Sequence, residues 1–319
     1  MKDVCFILNP ASRRGHSFLS RLRKFLALRF PQAELVLTEA PGHATFLARE
    51  AGERGCHRLF SVGGDGTLNE VINGVMALPE ERRPAVGVLA SGTGGDFPRR
   101  LREIAQFPTD FSWVLDPQHR RIDLGRAWIG RRGEETFRYF INIADAGIAG
   151  EVVRRVNASR KFFGPLEYFR ATFTAGWSYR PPRVKVSQTL SDGSVHQEEI
   201  SLMMALAANS RYFGGGMCVA PEAQFDDGSL FFLVAEEMSY FTLLLQLRHV
   251  YRRRKMKHPK IHYREGTRME IEALTGDLAI DLDGEYFRCP RICFEIVPLA
   301  LDILVPSNAS PGYDKGNVE

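Results

Sequence analysis

Several familiar signatures are missing from this 319-residue sequence, and each absence narrows the reading. It has five cysteines, Cys5, Cys56, Cys218, Cys289 and Cys293, and no Cys-x-x-Cys pair. The odd count and scattered spacing argue against a disulfide framework or a zinc site, and for reduced thiols in a cytosolic setting. No apolar run approaches the ~20 residues that span a bilayer, the longest being of the kind Phe241–Leu247. The N-terminus opens into a strand-like run without a signal-peptide layout. Neither charge sign dominates: the formal net charge is +4. That balance does not call for nucleic acid and suits an anionic small molecule or an anionic membrane surface. Gly-Lys-Ser/Thr, His-Arg-Asp and a strand-following Gly-x-Gly-x-x-Gly are all absent, which excludes the common nucleotide-binding loops. There is no internal repeat.

What is present is a rhythm of strands and helices over the first third. Val4–Leu8, Leu35–Leu37, Arg58–Val62 and Ala85–Ala90 read as strands. Between them lie helical patterns: Phe18, Leu22, Phe25 and Leu26 on one face, Ala44–Arg54 ending at Gly55, and Leu68, Val71, Ile72 and Val75 at i, i+3, i+4, i+7. Thr67 and Glu70 have capping-box spacing. Repeated β-loop-α units of this length predict a parallel sheet covered on both faces. From about Asp123 strands dominate: Val184–Leu190, Val195–Leu206, Leu230–Ala235, Arg268–Ala273, Leu278–Leu282, Ile292–Val297 and Leu301–Val305. One helical segment is expected, from about Ile148 to Trp177. The fold class predicted is an N-terminal α/β domain followed by an antiparallel β-sandwich. The expected divisions are residues 1–124, joined by a returning strand at 300–306, then 125–299, then a frayed tail at 307–319.

Three glycine-rich loops follow three of the parallel strands, at the edge where open α/β sheets bind ligands. The first is Asn9-Pro10-Ala11-Ser12-Arg13-Arg14-Gly15, which offers a hydroxyl and a cation but also suits a plain turn. The second is Gly63-Gly64-Asp65-Gly66-Thr67, running into Leu68, Asn69 and Glu70. A helix N-terminus follows it at once, so unpaired amides and the positive end of a helix dipole face any phosphate. An aspartate among three glycines is poor packing material and good chemistry: it can hold Mg²⁺ or a ribose, or sit near a γ-phosphate. The third is Gly92-Thr93-Gly94-Gly95-Asp96-Phe97, with Pro98 suited to the first helical position. Arg99, Arg100 and Arg102 follow, on what reads as an exposed helix face.

Together these residues resemble the diacylglycerol kinase catalytic family, which includes bacterial lipid kinases and sphingosine kinases. Gly63-Gly64-Asp65-Gly66-Thr67-Leu68-Asn69-Glu70 carries the resemblance most specifically. Asn9-Pro10 with Ser12 is similar to the family's opening motif, Thr38-Glu39 with Gly42-His43-Ala44 to its nucleotide-facing threonine segment, and Gly92-Thr93 with Asp96-Phe97 to its third loop. In the second half, Asn209 to Met217, Ala220-Pro221, Asp226-Asp227-Gly228 and Asp283-Gly284-Glu285 also match. Lys257-His258-Pro259-Lys260 resembles bacterial members. Two positions depart from the pattern: Gly95 stands where the family usually has asparagine, and Phe231 where many members have aspartate.

The resemblance implies an ATP-dependent lipid kinase with nucleotide on the first domain, lipid entering from the second, and an active cleft between them. It implies a structural Mg²⁺ held by the Asp227 carboxylate and the backbone carbonyls of Gln224 and Ser229. Nucleotide contacts would come from Asn9, Pro10, Ala11, Ser12, Arg13, Thr38, Gly63, Gly64, Asp65, Gly66, Thr67, Leu68, Asn69 and Thr93. Asp65 is the candidate for the nucleotide's Mg²⁺, and Asp283 or Glu285 for the base that takes the hydroxyl proton. Phe162, Phe163, Tyr168, Phe169, Phe173 and Trp177 are candidates to wall an acyl pocket, with a buried core helix as the plainer reading. Arg248, Arg252, Arg253, Arg254, Lys255 and Lys257 form a basic run that suits anionic headgroups. The partner implied is a lipid at a membrane surface, met from the water side by a cytoplasmic protein at the inner face; a homodimer is left open. The rival readings are an NAD kinase-like enzyme and a nucleotide- or lipid-binding module without turnover.

Overall fold

The computed structural model describes residues 3–12, 15–90, 95–158 and 179–308. The chain divides into two compact units, one formed up to Ile122 together with the chain from Leu299, the other by Asp123–Pro298. All five cysteines are buried and free.

The first unit is built on parallel strands β1 (Val4–Leu8), β2 (Glu34–Leu37), β3 (Arg58–Gly63) and β4 (Ala85–Ala90), in the order β2-β1-β3-β4. Every residue of β1 is buried, as expected for a central strand covered by helices on both sides. Helices α1 (Gly15–Arg29), α2 (His43–Glu53), α3 (Asp65–Met76) and α4 (Asp96–Ile104) provide that cover. Leu68, Val71, Ile72 and Val75 of α3 are all buried, as their spacing predicts. In α1 the buried stripe is Leu19, Leu22 and Leu26, while Phe18 and Phe25 set their rings edge-on against Phe111. Gly87 in β4 allows a close approach that no other residue would: a Cβ there would lie 2.3 Å from the Phe60 ring.

The second unit is antiparallel. Its strands include β5 (Gln118–Ile129), which enters it from the first unit, β6 (Thr136–Phe140), β7 (Ile143–Gly147), β8 (Arg183–Leu190), β9 (Val195–Ala208) and β12 (Leu230–Glu236). They continue with β13 (Ile261–Ala273), β14 (Leu278–Leu282), β15 (Glu285–Cys289) and β16 (Arg291–Val305), with a short hairpin of β10 (Tyr212–Phe213) and β11 (Met217–Cys218). The main path runs β15-β14-β7-β9-β12-β13-β16. Strand β12 shows how the core is divided. Leu230, Phe232 and Val234 enter one apolar cluster, and Phe231, Leu233 and Ala235 enter another on the opposite face. Period-two alternation makes both faces apolar, so the strand reads as one continuous hydrophobic run.

Several expectations are corrected. The strands expected separately at Ile292–Val297 and Leu301–Val305 are one strand, β16, with Leu299 at φ +46° inside it. Its end pairs parallel to β4 through Ile303 and Leu304. The expected helix from Ile148 is α5 (Ile148–Ala158); Phe162, Phe163, Tyr168, Phe169, Phe173 and Trp177 lie outside the described residues. The second unit also holds a helix the pattern did not announce, α6 (Tyr240–Tyr251), whose first turn is capped by the Ser239 hydroxyl accepting from the Thr242 amide at 3.1 Å. Among the described residues no helix is long and apolar enough to cross a membrane.

Candidate active site

The strand order β2-β1-β3-β4 reverses direction of growth between β1 and β3, the place where open α/β sheets form a crevice. The loops leaving β1 and β3 sit at this carboxyl edge, and side chains tie them to each other and to the start of α4. Asn9 donates from Nδ2 to the Thr67 hydroxyl at 3.2 Å, joining the first loop to the second. Its Oδ1 accepts from the Ala11 amide at 2.9 Å, and its backbone carbonyl accepts from the Ser12 hydroxyl at 2.8 Å. Asp65 joins the second loop to the start of α4: its carboxylate accepts from the Asp96 amide at 2.7 Å and the Phe97 amide at 3.4 Å. These are first-turn amides of α4, donors that no helix can satisfy internally. Burial raises the Asp65 carboxyl above its ordinary value, and the two amides pull it back part of the way.

The other acid of the motif works in the same manner. Glu70 accepts from the Ala44 amide at 3.1 Å, at the start of α2, and its backbone carbonyl accepts from the Thr45 hydroxyl at 3.0 Å. The capping box expected between Thr67 and Glu70 is therefore absent. Helix α3 starts three residues earlier, with Gly64 as its N-cap, so Thr67 sits inside the first turn. For the same reason Pro98 is the third residue of α4 rather than its first, since Asp96 opens that helix.

The glycines of the second loop divide by role. A Cβ at Gly63 would lie 2.6 Å from the Thr67 hydroxyl, so this glycine admits the threonine. Gly64 has φ −101°, a conformation open to any residue, and a Cβ at Gly64 or Gly66 would meet nothing within 4 Å. Neither packing nor backbone conformation asks for glycine at these two positions. Bare backbone facing open space beside a helix N-terminus is the arrangement a phosphate needs.

Thr38 is nearly buried at the end of β2, its amide bound to the Leu8 carbonyl at 2.9 Å. Arg13 and Thr93 lie outside the described residues, as do Arg14, Gly92 and Gly94. Of the arginines of α4, Arg102 is exposed and Arg99 partly so, as expected, but Arg100 is 1 % exposed and pairs with Glu103 at 2.8 Å.

In the second unit the acidic motif caps the β14–β15 hairpin. Leu282 pairs with Glu285, which leaves Asp283 and Gly284 as a two-residue loop, with φ of +48° and +95°. Asp-Gly with both φ positive is the type I′ turn favoured by the twist of paired strands. The two candidate bases have different surroundings. Asp283 accepts from three backbone amides, Ile141 at 3.0 Å and Asn142 and Ile143 at 3.3 Å each. Glu285 is 41 % exposed and pairs with Arg138 at 3.1 Å. Both acids are partly exposed; Asp283 commits its carboxylate to backbone amides, whereas Glu285 is held only by a partly exposed arginine.

Asp227 sits on a turn with Gly228 at φ +73°. Its Oδ1 accepts from the Ser229 amide at 3.1 Å, and the neighbouring, fully buried Asp123 accepts from the Gly228 amide at 2.8 Å. Burial pushes the Asp227 carboxyl up to about 6, with Asp123, Glu265 and Asp226 adding repulsion. Crowded carboxylates of this kind suit a hard cation, and oxygen is the donor such a cation takes. Among the described residues no three His, Cys, Asp or Glu side chains converge as a metal group, so a cation here would depend on carbonyls such as those of Gln224 and Ser229.

Three further residues of this unit were not anticipated. Asp123 lies beneath the Asp227 turn. Asp145 and Asp281 are buried beside the acidic hairpin. A charged residue at a buried position of a strand was the available signal: Asp281 sits among the alternating apolar residues of β14. Asn209, already part of the long second-half motif, is fully buried and donates to the carbonyls of Asp123 and Ile141 at 3.0 Å each.

Comparison with known proteins bears on both units. A family model for the diacylglycerol kinase catalytic domain matches residues 3–127, and one for the YegS C-terminal NAD kinase beta sandwich-like domain matches residues 142–305. A diacylglycerol kinase of Staphylococcus saprophyticus is 30 % identical over 294 residues, covering 89 % of each chain. A probable lipid kinase, YegS-like, of Chromohalobacter salexigens is 28 % identical over 270 residues, covering 84 % of this chain and 82 % of that one. Among solved structures, one from Bacillus anthracis assigned to the diacylglycerol kinases superposes with a TM-score of 0.73 over 96 % of this chain and 98 % of that chain, at 22 % identity. At that identity the likeness speaks for the fold.

Proposed function

This chain belongs to the diacylglycerol kinase catalytic family and is a lipid kinase, and from that premise we propose that it moves the γ-phosphoryl of ATP onto the hydroxyl of a diacylglycerol-like lipid. The observation that carries this reading is the locked carboxyl edge of the first unit. Asn9 to Thr67 and Asp65 to Asp96 fasten two loops and the start of α4 around the bare backbone of Gly64 and Gly66. Phosphoryl transfer depends on positioning and charge neutralisation more than on covalent chemistry.

The glycine-loop amides and the α3 N-terminus hold the phosphates, and Asn9, Ser12 and Thr38 line the same rim. Mg²⁺, when bound, neutralises charge developing on the phosphate oxygens. Asp65 would serve it across a water, since its carboxylate already holds α4. A second Mg²⁺ would be held by Asp227 with the carbonyls of Gln224 and Ser229, stiffening the turn above Asp123. Glu285 accepts the proton from the lipid hydroxyl, and Asp283 fixes the hairpin that presents it. Because such a lipid resides in a bilayer, the enzyme meets its substrate at the membrane surface. The test is labelled ATP with diacylglycerol, a sphingoid base and NAD offered side by side. Label in the diacylglycerol product supports the reading, and label only in NAD would replace it.

A further inference from the structure

Helix α6 has one face in the core and one bare to solvent. Leu243 and Val250 are buried in an apolar cluster, while Phe241 is 63 % exposed and Leu245 61 %. Large apolar side chains are normally exposed singly. Here they stand at i and i+4, and the same stripe continues at i+7 and i+11 with Arg248 and, at the helix C-cap, Arg252, both exposed. The stripe is therefore apolar at its start and cationic at its end.

The cations are gathered in space as well as in sequence. His249 is held below the ordinary histidine value by slight burial first, and then by Arg248, Lys257, Arg252 and Arg254, four positive charges around one ring. Their neighbours are already engaged: Lys255 pairs with Glu222 at 2.5 Å, and Arg253 lies over the Tyr212 ring at 5.7 Å. Among the described residues, Arg248, Arg252, Arg254 and Lys257 have no ion-pair partner.

We propose that the outer face of α6 docks onto an anionic membrane surface, with Phe241 and Leu245 entering the interface and Arg248, Arg252, Arg254 and Lys257 meeting phosphate headgroups. An amphipathic helix of this kind binds in the plane of the interface, combining a modest apolar insertion with attraction to negative lipid. Two inserted side chains are too few to anchor a protein permanently. The contact is reversible, which suits an enzyme that must collect one lipid and release another. The inference rests on the lipid-kinase reading for its purpose, but the surface itself is defined by exposure and charge alone.

The experiment separates the two. The full chain is floated with vesicles of phosphatidylcholine and with vesicles that also contain phosphatidylglycerol, at low and high salt. Phosphorylation of a short-chain, dispersed diacylglycerol is measured on the same preparations. Wild type should float with the anionic vesicles at low salt and lose most of that binding at high salt. The double variants Phe241→Ser/Leu245→Ser and Arg248→Glu/Arg252→Glu should each bind at least about tenfold more weakly, whereas Arg248→Lys/Arg252→Lys should stay near wild type. Their thermal midpoints should hold, because all four side chains are exposed. Wild type that ignores anionic vesicles, or double variants that float as well as wild type, would overturn the docking surface even if the short-chain assay succeeds. Vesicle binding lost in both double variants would uphold it even if no kinase activity were found.

Discussion

Asp145 lies directly opposite Asp281 across the β7–β14 ladder, and both are 1 % exposed. Opposed residues of an antiparallel pair have side chains on one face, about 5 Å apart at Cβ. Asp281 gives one oxygen to the Gly284 amide at 2.8 Å, and so fastens the hairpin that carries Glu285. Burial pushes Asp281 up to about 7, with Asp283 and Glu285 adding repulsion, and burial followed by Asp281 raises Asp145 well above its ordinary value. Each of the two buried carboxyls therefore favours its neutral form more than a free aspartate does.

The pH dependence follows in sign. A carboxyl raised by folding contributes stability that is complete below its unfolded value, near 4, and is lost as pH rises through its folded value. Stability measured by urea titration should fall between about pH 4 and pH 7 through this pair. Asp281→Asn keeps an acceptor for the Gly284 amide and removes one ionisation, so its slope over that range should be flatter. At pH 8 it should match or exceed wild type, by on the order of 1 kcal/mol. An unchanged slope would show that the two carboxyls do not titrate together.

Asp65→Ala removes the acceptor for two α4 amides along with the carboxylate of the glycine loop. Turnover should fall by roughly a hundredfold or more, and stability by about 1 kcal/mol, the cost of a lost helix cap. Asp65→Asn retains an acceptor for α4 and should recover the stability but not the turnover. Near-normal turnover in Asp65→Ala would remove this residue from the mechanism.

The two acids of the hairpin should separate in the laboratory. Asp283→Ala leaves three amides without their acceptor and should cost about 2–3 kcal/mol in chemical denaturation. Glu285→Gln should barely change stability, yet lower kcat by roughly 10²–10⁴ with little change in the KM for ATP. The reverse pattern would exchange their roles.

Mg²⁺ at the Asp227 turn can be read without any activity assay. Adding Mg²⁺ to the wild type should raise the thermal midpoint, because a ligand bound only to the folded state stabilises it by mass action, about 2.7 kcal/mol at a hundred times its Kd. Asp227→Asn should show a smaller rise. Equal rises in both proteins would place the stabilising ion elsewhere.

Gly95→Asn, which restores the residue usual in the family, should weaken the start of α4. A Cβ at this position would lie 2.9 Å from the Pro98 ring and 3.2 Å from Asp65 Oδ1. The expected cost is about 1 kcal/mol, and a neutral result would mean that the proline ring moves aside at little cost.

Much of this protein was determined by the sequence itself. Unbroken apolar strands such as Val4–Leu8, spaced by helical stripes such as Leu68–Val75, require a parallel sheet buried on both faces, because nothing else hides both patterns. Glycines at 64 and 66 beside an aspartate marked the phosphate edge for a similarly local reason: no packing demand calls for them. Tertiary structure decided what those side chains hold. Asp65 and Glu70 cap neighbouring helices, Asp283 collects amides from residues about 140 positions away, and Asp145 meets Asp281, pairings that no local spacing encodes. The register of β7 on β14 turned two unremarked aspartates into a buried pair. Only the packing of α6 showed which of its apolar side chains are left in water. Periodicity specifies which face of a strand or helix is buried, whereas long-range partners arise only when distant segments are set side by side.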